Sequence, residues 1–114
     1  MLYLADQSWQ NTLLTAAPQV RERTERVPIT EMAAALDEAR ELGDRVIVKI
    51  DTEGYECEII ARTPSEARDH VVELFVEVEE SAPCSPAEVI AHLVEYGFSL
   101  RGRTAPDVLH FVRR

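Results

Sequence analysis

The chain has 114 residues, with 21 acidic and 12 basic side chains and a formal net charge of -9. Such a length fits one small domain, and a hydrophobic content of 46% makes it a globular one rather than a disordered one. The acidic balance excludes a nucleic-acid surface, which needs clustered Lys and Arg, and it argues against an anionic membrane.

No apolar run approaches the length of a membrane span. Met1-Leu2-Tyr3-Leu4-Ala5-Asp6 lacks the basic start and long apolar region of a secretory signal, so the expected location is cytoplasmic. Cys57 and Cys84 show neither a metal-ligand spacing nor a disulfide framework, and read as two reduced thiols.

Residues 1–26 read as an irregular or short-helix segment. Leu2-Tyr3-Leu4 has the make-up of a short strand, Trp9, Leu13 and Leu14 that of a short helix face or a packed loop, and Pro18 interrupts any longer helix. The alternating charges of residues 21–26 read as a solvated stretch. From residue 27 to 114 the pattern is that of a single α/β domain. Residues 26–29 form a brief strand confined by Pro28 to an edge or an end. Thr30 then caps a helix over 31–42, whose apolar face is Met32, Ala35, Leu36 and Ala39 and whose stop is Gly43.

Val46-Ile47-Val48-Lys49-Ile50 follows, a β-branched run suited to a strand buried under helices. It turns polar at Asp51-Thr52-Glu53-Gly54-Tyr55-Glu56. In open α/β sheets ligands bind outside the carboxyl ends of strands, so this is where functional side chains are expected. Residues 55–62 hold a helical turn with Ile59 and Ile60 inward. Thr63-Pro64-Ser65-Glu66 has the form of a capping box, with Thr63 as cap. Residues 71–79 are the next strand, ending in Glu77 and Glu79. Ser85-Pro86-Ala87-Glu88 is a second capping box, opening a helix with Val89, Ile90, Leu93 and Val94 inside and Gly97 at its end. A strand from Phe98, a turn over 102–107 and a strand over 108–112 close the chain as an antiparallel hairpin. Alternation of this kind predicts an α/β sheet, mostly parallel, covered by helices.

Lys49-Ile50-Asp51-Thr52-Glu53-Gly54-Tyr55-Glu56 resembles the central signature of the FkbM family of S-adenosylmethionine-dependent methyltransferases. The resemblance extends over residues 27–114 and implies a partial Rossmann-like methyltransferase sheet, whose class closes with such a hairpin. It implies O-methylation of a hydroxyl on a small molecule or glycan, with S-adenosylmethionine as cofactor. Asp51 and Glu53 would be catalytic; Lys49, Tyr55, Glu56, Glu77 and Glu79 would bind the acceptor. The family's glycine-rich cofactor loop has no counterpart here, because Gly43, Gly54, Gly97 and Gly102 lie far apart. The chain therefore resembles the C-terminal half of the domain.

Plainer readings stand beside these. Asp51 also suits a turn cap, Glu53 and Glu56 solvated loop acids or ligands of a hard cation, and Glu77 and Glu79 a charged strand end. His70, His92 and His110 share no ligand spacing, and Cys57 has no assigned base. A second functional reading is a methyltransferase-fold remnant acting as an interaction or assembly module. With no strand of the cofactor half beside residues 46–50, that strand has an open edge. Either residues 26–29 fill it or a second copy or a complementing chain does.

Overall fold

The computed structural model describes residues 2–5, 20–25, 30–80 and 83–114. Along these, the elements are strands β1 (Leu2–Ala5) and β2 (Val20–Glu25), helix α1 (Met32–Leu42), strand β3 (Val46–Ile50), helices α2 (Glu56–Arg62) and α3 (Ser65–Arg68), strand β4 (Val71–Glu77), helix α4 (Pro86–Glu95), and strands β5 (Phe98–Ala105) and β6 (Val108–Arg113). The expected strand over 26–29 lies outside the described residues, as do Trp9, Leu13 and Leu14.

Two features differ from the sequence-based expectation. Leu2-Tyr3-Leu4 forms β1 as a short strand, but the segment expected to be otherwise irregular also contains β2, antiparallel to it. The alternating charges of residues 20–25 conceal a strand, because a period of two in charge is also the period of a pleated ribbon. The main sheet, of order β3-β4-β6-β5, is also not mostly parallel. Only β3 and β4 pair in parallel; β6 runs antiparallel to both β4 and β5, between which it lies. The short turn at Pro106 and Asp107 forces β6 back along β5, and β6 then takes the position beside β4.

The register puts one apolar face together. Val48 and Ile50 stand opposite Leu74 and Val76, which stand opposite Phe111 and Leu109. Phe98 adds the β5 contribution, and Leu36, Ile60, Ala67, Val89 and Leu93 bring in the four helices. Val76, Val89 and Phe111 are fully sealed from solvent. Helix α4 starts on the expected capping box, with Ser85 accepting from the Glu88 N–H and Glu88 from the Ser85 N–H. Helix α3 does not start on its own: Thr63 turns its hydroxyl back to the Ile59 carbonyl instead of capping forward. At the amino end of α1 the cap position falls on Glu31, without a side-chain hydrogen bond, and not on Thr30.

Candidate functional site

The parallel register sets Ile50 against Val76, so Asp51 and Glu77 leave the carboxyl ends of β3 and β4 side by side. Side chains alternate along a strand, which places Lys49, Asp51 and Glu77 on the face away from the helices. The Asp51 and Glu77 carboxyl groups are close enough to act on each other, and Lys49 Nζ lies 4.0 Å from Asp51 Oδ2. Partial burial, then the charge and carboxyl group of Asp51, raise the Glu77 pKa above its ordinary value, against a lowering by Lys49. Glu53 is raised as well, by partial burial first and then by Asp51, Glu79, Glu77 and Glu56. Lys49, Asp51, Glu53, Glu77 and Glu79 thus form one electrostatic cluster at this corner of the sheet.

The connecting turn is held from inside. Glu53 has a φ of 54° and Gly54 one of 113°, so the chain takes two left-handed steps in succession. Such a step costs little for glycine and on the order of 1 kcal/mol or more for a side-chain-bearing residue. What holds it is Glu56, at 1% exposure the one buried carboxylate among the described residues. Glu56 Oε1 accepts from the Thr52 backbone N–H at 2.9 Å and from the Thr52 hydroxyl at 3.0 Å, and Oε2 accepts from the Gly54 N–H at 3.1 Å. The position predicted to meet the acceptor therefore faces inward and shapes the turn. No spacing rule exposed this, although an acid two residues past a glycine at a helix start is the signal that a reader could have used.

Tyr55 opens on the other side, in a groove of about 610 Å³ lined with Met32, Ile59, Glu58 and Arg62 among others. Helix α1 leads directly into β3, so its amino end lies at the same edge of the sheet as Asp51; Thr30 and Glu31 form the far wall of the groove. Arg62 is tied to Glu58 at 2.6 Å.

The expectation of two reduced thiols fails. Cys57 and Cys84 are joined by a disulfide, with Cα atoms 5.5 Å apart across a sequence separation of 27. Spacing carried no hint of it; the parallel crossover brings the start of α2 next to the loop after β4. Disulfides persist in oxidising compartments, so the pairing removes the thiol argument for a cytoplasmic location. No helix of the described residues is long and apolar enough to cross a membrane.

A family model described as the methyltransferase FkbM domain matches residues 2–100. The chain belongs to the FkbM methyltransferase domain family. The match begins earlier than residue 27, where the resemblance was expected to begin, and takes in the β1–β2 pair. No curated protein and no solved structure matches the chain. Within this FkbM domain the described residues do not fit a complete S-adenosylmethionine site. The strand-to-helix turns after β3 and β4 are not glycine-rich. The backbone N–H groups of Thr52 and Gly54, which could cradle a ligand, are already taken by Glu56.

Proposed function

We propose that this FkbM domain acts as the acceptor side of an O-methyltransferase, with the cofactor-binding elements supplied from outside these 114 residues. The observation that carries the reading is the Asp51–Glu77 carboxyl pair at the carboxyl edge of the parallel strands. A hydroxyl is a poor nucleophile until its proton has somewhere to go. A carboxylate at the strand end is a base that can take that proton, and a second carboxyl beside it can pass the proton on. In this reading Asp51 receives the proton of the acceptor hydroxyl, Glu77 buffers it, and Lys49 limits the negative charge left behind. Glu53 and Glu79 hydrogen-bond further hydroxyls, which suits a polyhydroxylated small molecule or a glycan. Tyr55 lines the groove on the other side of the turn, where it can hold a further part of the acceptor, and Glu56 holds the turn that aims Asp51 and Glu53.

A chimera tests this. These residues are joined behind the cofactor-binding half of another FkbM-family methyltransferase and assayed for transfer of labelled methyl groups to a panel of hydroxylated acceptors. Asp51→Asn in the chimera is expected to lower kcat by about 10²- to 10⁴-fold while the Kd for S-adenosylmethionine stays unchanged. An Asn variant as active as its parent would remove Asp51 from the reaction. A folded chimera that binds the cofactor and methylates no hydroxyl would overturn the assignment.

A further inference from the structure

Glu88 serves the α4 capping box, yet its carboxylate also lies 3.6 Å from Cys57 Sγ. A disulfide sulfur has no proton to donate, so this contact gains nothing in the oxidised chain. Cys57 Sγ, Cys84 Sγ and a Glu88 oxygen lie within 4.8 Å of one another, and among the described residues this is the group whose ligand atoms converge; the acid cluster around Asp51 does not.

We propose that Cys57, Cys84 and Glu88 form a binding site for a thiophilic divalent cation such as Zn²⁺, occupied when the disulfide is reduced. Bond lengths of about 2.3 Å to sulfur and about 2.0 Å to oxygen make the sulfur-to-oxygen edge of a zinc tetrahedron about 3.5 Å. The observed 3.6 Å between Cys57 Sγ and Glu88 Oε2 matches that edge in length. The sulfur-to-sulfur edge is about 3.8 Å, so the two sulfurs, whose Cα atoms lie 5.5 Å apart, would have to separate once the bond is reduced. Cys84 immediately precedes the N-cap of α4, where the helix dipole favours a thiolate. Cys84 is sealed from solvent and Cys57 is half-buried, so the ion would sit against the core with one side open to a water as fourth ligand.

Occupation requires a reductant, here a dithiol. It delivers two electrons and two protons, the S–S bond breaks into two thiols, and the dithiol closes its own disulfide. The cation then displaces both thiol protons to solvent. Two thiolates and one carboxylate favour Zn²⁺ or Co²⁺ and offer little to Mg²⁺ or Ca²⁺. The bond and the ion are alternative clasps between α2 and the loop after β4. This site does not depend on the methyltransferase reading.

The test is a Co²⁺ titration of the reduced, metal-free chain, followed by Zn²⁺. One Co²⁺ per chain is expected, with thiolate-to-cobalt absorption in the near ultraviolet, displaced by one Zn²⁺. Zn²⁺ should also raise the thermal midpoint where Mg²⁺ does not. Cys84→Ser should abolish binding. Glu88→Gln retains the capping pattern, because Gln serves equally at that position, and should weaken Zn²⁺ binding by about tenfold or more. A folded chain with both thiols free that takes up no Co²⁺ in molar excess overturns the site. A Gln variant that binds Zn²⁺ as tightly as its parent overturns the role of Glu88.

Discussion

Glu56 follows Gly54 by two positions, and its carboxylate turns back to hold Thr52 and Gly54 instead of facing solvent. Replacing it by Gln keeps an acceptor oxygen and adds a donor facing backbone N–H groups. Leaving such a buried network half-satisfied should cost about 1–3 kcal/mol of stability, measurable by urea denaturation. No loss would mean that the turn is held by something else. The neighbouring acids act in the opposite sense. Glu53 and Glu77 keep their protons to higher pH in the folded chain than unfolded, from an ordinary value of 4.5. Their contribution is therefore fully present below that value and is lost as pH rises through the raised folded pKa. In Glu77→Gln, the fall in thermal midpoint between about pH 4.5 and about pH 7 should be smaller than in the parent. An identical fall in both proteins would show that Glu77 does not titrate with the fold. Both carboxyls are well solvated, so the effect is a fraction of what burial would give. The position of Asp51 was legible because the apolar run of β3 ends just before it. The inward turn of Glu56 was not, because sequence shows an acid but not the donors that the turn aims at it.

Helix α4 was readable end to end. Ser85, Pro86 and Glu88 set its start, Val89 and Leu93 its buried face, and Gly97, with a φ of 93°, lies just past its end. Each of those signals is local, as helix caps are. The clasp between Cys57 and Cys84 is the opposite case. It joins two elements through their placement after a crossover, and nothing within a few residues of either cysteine announces the other. A closed loop with a separation of 27 is expected to contribute about 3.5 kcal/mol through the unfolded chain. Reduction in the absence of metal, or Cys57→Ser with Cys84→Ser, should lower the thermal midpoint by on the order of 10–15 °C. A shift of a degree or two would leave the bond without structural weight. β2 is also decided beyond its own sequence, since charged residues become a strand by pairing with β1.

Across the whole molecule, the helices cover one face of the four-stranded sheet, and β3 is its terminal strand. Among the described residues nothing pairs with the outer edge of β3, and Ile47 beside it is 62% exposed. An edge that no described strand covers, with an apolar side chain beside it, invites a further strand. We therefore propose that the chain pairs there, with a second copy in the absence of a complementing chain. Light scattering after size exclusion should give twice the chain mass at micromolar concentration, and Ile47→Lys should return a monomer. A parent that is monomeric under those conditions would sink the proposal.

The order of elements from α1 onward, the strand that carries Asp51 and the capped start of α4 were determined by the sequence itself. They depend on periodicity, turn residues and caps within a few positions of one another. Tertiary structure alone decided the antiparallel insertion of β6 between β4 and β5, the inward turn of Glu56 and the meeting of Cys57 with Cys84. Those depend on which surfaces lie together once the sheet has formed, and residues far apart in the chain become neighbours only through that closure.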